Sequence, residues 1–102
     1  MVPLFQENAM NEKTIERKLS ASTRMRGGLS LKLAMTGIAG IPDRLILLPG
    51  GKAAFAETKA PGKKPRALQK ERMGMLTALG FRCFVIDSTD MIQEVLDEIQ
   101  ST

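Results

Sequence analysis

Two carboxylates and a lysine stand at a spacing suited to metal-dependent cleavage of a phosphodiester bond. Asp43 follows a proline, and Lys59 comes two residues after Glu57, so Lys59 and Glu57 project from the same face of a strand. Carboxylates bind Mg²⁺ or Mn²⁺ through hard oxygen atoms, and a neighbouring lysine stabilises negative charge on a phosphate. The sequence contains no histidine and a single cysteine, which excludes histidine-based zinc sites, serine triads and cysteine-rich metal sites.

A predicted β-hairpin brings the two carboxylates together. Two short apolar runs, Arg44–Leu48 and Ala53–Thr58, are separated by Pro-Gly-Gly, a strong turn signal. A turn centred on Gly50 places Asp43 directly across from Glu57, where opposed Cβ atoms are roughly 4.5–5.5 Å apart. That separation suits two carboxylates that share one cation. A register shift of one residue would move them to opposite faces of the hairpin.

The elements around the hairpin follow an α/β order. The length of 102 residues fits one domain, which we place at residues 11–102 after a flexible N-terminal arm over residues 1–10. The order α-β-β-β-α-β-α predicts a compact three-layer arrangement. The first helix is predicted to have its N-cap at Asn11, an apolar stripe of Ile15, Leu19 and Met25, and its end at Arg26-Gly27-Gly28. The next predicted elements are a strand over 29–34, a connector over 35–41, the hairpin, a loop over 60–65, a helix over 66–79 and a strand over 82–86. The last predicted element is a helix with Ile92, Val95, Leu96 and Ile99 at helical spacing.

The chain is basic, with a net charge of +4 and a pI near 9.6. This charge fits an anionic polymer as partner, and a solvated basic surface is the alternative. Since the chain has no Trp or Tyr, contact with a duplex backbone is favoured over stacking of single-stranded bases. The basic residues cluster at Arg24 and Arg26, at Lys63, Lys64 and Arg66, and at Lys70 and Arg72.

Cysteine content and hydropathy indicate the compartment. Cys83 is the only cysteine, which excludes an internal disulfide and favours a reducing environment. With no histidine to activate it, Cys83 is predicted to be a buried structural thiol. No apolar run approaches the roughly 20 residues of a membrane span, and the charged segment that directly follows Met10 does not fit a secretory signal.

Gln69 stands out on the helix predicted over 66–79. It shares a helix face with Met73 and Leu76, and that face is expected to pack toward the sheet. A polar amide at the start of a core-facing stripe needs a hydrogen-bond partner. The strand that ends at Lys59 lies just across a short loop, so the candidate site is the expected partner; an ordinary boundary residue is the alternative.

The ordered set of motifs resembles the VRR-NUC family of the PD-(D/E)xK nuclease superfamily. The resemblance covers about Glu12 to Asp87. It implies an α/β fold with a PD-(D/E)xK restriction-endonuclease-like core, α-β-β-β-α-β, plus a C-terminal helix. The matching features are a Gly-Gly helix stop before a strand with Lys32, Gly-Ile-Pro-Asp-Arg at 40–44, an apolar strand, Glu57-Thr58-Lys59, the loop at 60–65, Gln69, and Gly80 before Phe84-Val85-Ile86.

The resemblance implies an Mg²⁺- or Mn²⁺-dependent deoxyribonuclease. It assigns Asp43 and Glu57 as metal ligands, joined by the Thr58 carbonyl. Lys59 is implied to position or activate the attacking water and to stabilise the pentavalent phosphate. Gln69 is implied to support Lys59 or that water.

Further site residues are implied with alternatives. A glutamate on the first helix completes the site in the family, and Glu16 is the best match, with Glu12 one turn earlier as the alternative. Arg44 and Lys32 are implied to be phosphate or structural partners. The basic loop with Lys63, Lys64 and Arg66 is expected to contact backbone phosphates, or to be solvated in the free protein.

Stand-alone VRR-NUC members of this size are similar to small phage or prophage proteins, which implies a cytoplasmic location in a bacterial host. They resemble resolvases of four-way junctions, whereas larger relatives carry the module as the catalytic part of DNA-repair nucleases. A junction-cutting homodimer is therefore expected, with the stripe from Ile92 to Ile99 against a second copy, unless the last helix packs on its own sheet.

Simpler interpretations remain for single residues. Asp43 suits a turn after Pro42, Glu57 and Lys59 suit the solvent face of an edge strand, and Glu16 suits a surface helix. Two other functions stay open, namely a non-catalytic DNA-binding accessory module of the same fold and a protein–protein adaptor that uses the last helix.

Overall fold

The computed structural model describes residues 11–34 and 37–101. The predicted N-terminal arm, residues 1–10, and part of the predicted connector over 35–41 lie outside the described residues. Within the described ranges the α/β order is as predicted, and no helix is both long and apolar enough to cross a membrane. The elements are α1 (Glu12–Met25), β1 (Leu29–Lys32), β2 (Arg44–Leu48), β3 (Lys52–Thr58), α2 (Ala67–Ala78), β4 (Cys83–Ile86), a 3₁₀ turn (Thr89–Met91) and α3 (Ile92–Gln100).

The four strands form one sheet in the order β1-β2-β3-β4. β2 is antiparallel to both β1 and β3, and β4 is parallel to β3. Arg44 lies opposite Ala56 and Ile46 opposite Ala54, which is the register predicted from a turn centred on Gly50. Gly50 has a φ of 85°, a conformation that favours glycine. The same register extended by one residue brings Asp43 beside Glu57.

Capping residues explain the limits of α1. The Asn11 side chain accepts a hydrogen bond from the Thr14 backbone N–H at 2.8 Å, as predicted for an N-cap. The helix ends before the Gly-Gly pair, and Gly28 lies so close to β2 that an added Cβ would be 2.1 Å from the Leu47 carbonyl oxygen. Glycine at this position therefore lets β1 start immediately after α1.

The hydrophobic core lies on one face of the sheet, where α1 and α3 pack against each other and the strands. Met25 is 88% exposed, so its predicted place in the α1 stripe is wrong; the step from Leu19 turns it about 120° away from the core. The core consists of Ile15 and Leu19 from α1, Ile46, Leu48, Ala54, Ala56 and Ile86 from the sheet, and Ile92, Val95, Leu96 and Ile99 from α3.

The apolar stripe of α3 belongs entirely to this core, with exposed fractions of 0–7%. The prediction that this stripe contacts a second copy is therefore wrong, and the alternative, that the last helix packs on its own sheet, is confirmed. The physical reason is that α1 and one face of the sheet offer an apolar surface within the same chain.

The opposite face of the sheet is only partly covered by α2. Gln69 is the buried residue of this helix, while Met73 and Leu76 are half-buried. Cys83 is half-buried rather than buried, and its thiol lies 3.8 Å from the Met73 carbonyl oxygen. Burial raises the pKa of the Cys83 thiol, as suits a structural thiol.

Candidate functional site

Asp43 is held by Thr58, the residue that ends β3. The Thr58 backbone N–H donates to Asp43 Oδ1 at 3.0 Å, and the Thr58 hydroxyl donates to Asp43 Oδ2 at 2.8 Å. Thr58 is fully buried, so these bonds are shielded from water. Because an ionised carboxylate oxygen has two lone pairs, each oxygen of Asp43 can still bind a cation.

Glu57 lies beside Asp43 on the hairpin and is 4% exposed. Its Oε1 accepts from the Asp43 backbone N–H at 3.1 Å, and its Oε2 accepts from the Gln69 side-chain amide at 2.8 Å. Burial raises the pKa of the Glu57 carboxyl, and the negative charge of Asp43 raises it further, against the lowering effect of Lys59. Glu57 is therefore a carboxylate whose charge is costly in the absence of a nearby cation.

Lys59 supplies the nearest positive charge. Its ammonium nitrogen lies 3.2 Å from Glu57 Oε2, and the Lys59 side chain is 16% exposed. The Lys59 backbone N–H donates to the Ile86 carbonyl at 3.0 Å, which holds the lysine backbone just beyond the end of β3, an interior strand of the sheet. The predicted projection of Lys59 and Glu57 to the same side is confirmed.

Gln69 connects Glu57 to the start of α2. Its amide nitrogen donates to Glu57, and its side-chain oxygen accepts from the Arg66 backbone N–H at 2.9 Å. The predicted partner in the site is thus Glu57, and no bond to Lys59 is seen among the described residues. One buried amide both caps the helix and orients a carboxylate.

Glu16 and Glu12, the two alternatives from the first helix, both reach Asp43. Carboxylate oxygens of Glu12, Glu16 and Asp43 all lie within 4.8 Å of one another. Glu16 is half-buried and lies 3.5 Å from the Thr58 hydroxyl, whereas Glu12 is exposed. Glu16 is therefore the more firmly positioned of the two, although both face the same point.

The chemistry of this donor set fits a divalent cation. Three carboxylates within 4.8 Å of one another repel each other unless positive charge lies between them, and hard oxygen donors suit Mg²⁺ and Mn²⁺. Glu57 lies next to this group rather than within it, because its side chain faces Gln69 and Lys59. The sequence predicted that Asp43 and Glu57 share one cation, whereas in the structure the carboxylates clustered with Asp43 are those of Glu12 and Glu16.

Comparisons with known proteins show which sequences and folds are similar to this chain. No protein-family model matches the sequence. The chain is 43% identical to "Putative nuclease p44" of Acyrthosiphon pisum secondary endosymbiont phage 1. The match extends over 82 residues and covers 80% of this chain and 88% of the relative. A solved structure described as a VRR_NUC domain superposes with a TM-score of 0.79 at 28% identity, and the match covers 84% of this chain and 94% of that structure.

The chain belongs to the VRR-NUC family. Its sheet and flanking helices have the VRR-NUC fold, as predicted from the ordered motifs. The site contains the Pro-Asp-Arg motif at the start of β2 and the Glu57-Thr58-Lys59 motif at the end of β3, which are two of the motifs shared with the family. The roles of individual residues in this VRR-NUC protein, including the Thr58 carbonyl as a ligand, stay predictions.

The structure places the predicted DNA-contact residues in two different environments. Lys63, Lys64 and Arg66 are exposed between β3 and α2, and Lys32 is exposed at the end of β1. The Arg44 side chain is only 12% exposed, and its guanidinium lies 3.9 Å from Glu16. Arg44 therefore fits the structural alternative, since its charge faces the acidic group.

The Thr58 hydroxyl was missed by sequence reasoning. Thr58 shares a face of β3 with the buried Ala54 and Ala56 and alternates with Glu57 along the strand, so it points to the face covered by α1. That alternation was a usable signal for its direction. The bond to Asp43 was not predictable, because Asp43 precedes β2 and its side chain crosses to that face.

Proposed function

We propose that this chain is a metal-dependent DNA endonuclease that hydrolyses phosphodiester bonds. The single observation that carries the proposal is the acidic group of Glu12, Glu16 and Asp43 beside the pair of Glu57 and Lys59. Membership of the VRR-NUC family and the name of the phage relative support it.

Asp43, Glu16 and Glu12 would hold Mg²⁺ or Mn²⁺, and Glu57 beside them and the Thr58 carbonyl stay predicted ligands. A bound divalent cation supplies Lewis-acid stabilisation of the negative charge on the phosphate. Thr58 and Gln69 keep Asp43 and Glu57 in place before substrate arrives, so little reorganisation accompanies binding.

Lys59 acts on the phosphate and the water. Its ammonium group lies at the edge of the site, beside a buried carboxylate, and stabilises the extra charge of the pentavalent phosphate. Because a protonated lysine cannot bind a metal ion, its role is separate from that of the ligands. Gln69 contributes through Glu57.

The substrate is DNA that presents its phosphates to the exposed basic loop, where Lys63, Lys64 and Arg66 contact the backbone. We further propose a preference for four-way junctions or other branched DNA, cut by a homodimer. The similarity to a phage protein supports action in the cytoplasm of a bacterial host.

The test is cleavage of duplex, nicked, flap and four-way junction DNA with Mg²⁺, with Mn²⁺ and with EDTA. We expect cleavage only with a divalent cation. Asp43→Asn is expected to abolish it, whereas Asp97→Asn is the matched control, because Asp97 is exposed and pairs with Arg26 at the far end of α1. Cleavage that persists in EDTA contradicts the metal mechanism.

Lys59→Ala separates chemistry from metal binding. We expect cleavage to fall by about 100-fold or more, while Mn²⁺ still binds by isothermal titration. Lys52→Ala is the control, because Lys52 lies at the opposite end of β3. DNA binding without any metal-dependent cleavage by the wild-type protein would instead assign the chain as an accessory module.

A further inference from the structure

Three basic residues form a stripe along the exposed side of α1. Successive residues of an α-helix are turned by about 100°, so Lys13, Arg17 and Arg24 fall within an arc of about 40°. All three side chains are exposed. We call these three residues the α1 basic stripe.

The α1 basic stripe borders the acidic group of the candidate site. Glu12 and Glu16 each precede a stripe residue in the sequence, and they lie between the stripe and the buried side of the helix, where Ile15 packs. A phosphate bound near Glu16 would therefore have the stripe as its neighbour on the solvent side.

Within the part of the chain that the structure describes, no ion pair neutralises the charges of the α1 basic stripe. Arg26, Arg44, Lys59 and Arg82 all form ion pairs, yet among residues 11–34 and 37–101 none of the stripe residues does so. The acidic residues of α1 face Asp43 instead. Three exposed cations thus remain available to an anionic partner.

The stripe and the basic loop approach the site from opposite sides of the sheet. Thr58 and Asp43 contact the α1 side through Glu16, whereas Glu57 contacts the α2 side through Gln69. The loop with Lys63 and Lys64 leads into α2. A strand whose phosphate sits at the site would pass both basic surfaces.

We infer that the α1 basic stripe is a second nucleic-acid backbone site, on the other side of the cleaved bond from the loop. The inference rests on the proposed function. Lys13 and Arg24 are about 16 Å apart along the helix axis. Phosphates of one strand are spaced by about 3.4 Å along the duplex, so the stripe spans about five of them. Charge complementarity identifies the phosphate backbone as the partner.

The experiment compares the salt dependence of duplex DNA binding, measured by fluorescence anisotropy in Ca²⁺. The test variant is Lys13→Gln/Arg17→Gln, and the matched control is Lys18→Gln/Lys52→Gln, which removes the same charge. Lys18 is exposed but turned about 100° beyond Arg17, and Lys52 lies at the far end of β3 from Glu57. Thermal unfolding checks that each variant is folded.

We expect the slope of log affinity against log salt to become shallower by about 1.8 in the test variant, or about 0.9 for each lost phosphate contact. The control is expected to keep the wild-type slope. The inference about the α1 basic stripe is overturned if all three proteins have the same slope, or if the slope becomes shallower by the same amount in both variants. Either result leaves the nuclease proposal intact. A wild-type protein that neither binds nor cuts DNA overturns both.

Discussion

Thr58 fixes the position of Asp43 among the acidic residues of the site. Its backbone N–H and its hydroxyl bind the two oxygens of Asp43, and the hydroxyl also lies 3.5 Å from Glu16. These bonds spread the charge of Asp43 within a group of mutually repelling carboxylates. A hydrogen-bond donor behind a metal ligand orients that ligand.

Thr58→Val removes the hydroxyl at nearly constant volume. We expect Mn²⁺ affinity to fall by about 10-fold, measured by isothermal titration, because Asp43 then loses one of its two donors. Thr58→Ser keeps the donor and is expected to restore most of the affinity. Wild-type Mn²⁺ affinity in a folded Thr58→Val protein would show that the hydroxyl does not position Asp43.

Glu57 couples stability to pH in the metal-free protein. Because burial raises its folded-state pKa above the ordinary 4.5, its contribution to stability is fully present below the unfolded-state pKa. That contribution is lost as the pH rises through the folded-state pKa, since the folded protein must then give up a proton it holds more tightly than the unfolded chain.

Glu57→Gln is expected to remove this pH dependence. The test measures the free energy of unfolding in EDTA by denaturant titration, from below the ordinary Glu57 pKa to neutral pH. Relative to Glu57→Gln, the wild type should become less stable as the pH rises. Glu94→Gln, a change at an exposed position of α3, is the control. A constant difference between wild type and Glu57→Gln across this range would contradict the raised pKa.

At the scale of elements, local signals specified most of the structure. The Pro-Gly-Gly turn fixed the hairpin register, Asn11 fixed the start of α1, and the Gly-Gly pair fixed its end. Each of these depends on the backbone preferences of a few adjacent residues, which a single sequence displays directly.

Long-range packing decided the features that the sequence did not reveal. The partner of the α3 stripe depends on how α1 crosses the sheet, and the Thr58 bond depends on the path of the chain before β2. Glu12 and Glu16 could not be separated either, because residues four apart share a helix face. Both in fact reach Asp43.

α2 is anchored to the site mainly through Gln69. The helix buries little apolar surface, while Gln69 bonds to both Glu57 and the Arg66 backbone. Gln69→Met removes both bonds and leaves Glu57 without that donor. We expect a loss of about 1–3 kcal/mol in the free energy of unfolding, measured by urea titration, and a lower cleavage rate.

Gln93→Met is the control for this change. Gln93 is exposed on α3 and contacts Arg26 and Ser22, away from the site. A Gln69→Met protein as stable as the wild type would mean that α2 is held by its other contacts, and that Gln69 is an ordinary boundary residue.

At the scale of the whole molecule, the open face of the sheet replaces α3 as the surface proposed for dimerisation. Leu29 and Leu31 on the edge strand β1 are 57% and 41% exposed, and Phe81, whose ring contacts Phe55 on the same face, is 49% exposed. Leu45 lies between Leu31 and Phe55 in the sheet register, so an apolar row joins them, and continuous exposed apolar patches are characteristic of protein–protein contact surfaces. A two-fold dimer through this face would carry two sites, as needed to cut two strands of a junction.

Leu29→Gln/Leu31→Gln is expected to lower the average mass in light scattering at micromolar concentration and to reduce junction cleavage more than nicking of linear duplex. The reason is that one site cuts one strand, whereas paired cuts in a junction need both protomers. Met25→Gln, a single apolar-to-polar change at an exposed position of α1, should alter neither measurement. A wild-type monomer that cuts linear duplex as readily as a four-way junction would contradict the dimer and the branched-DNA preference together.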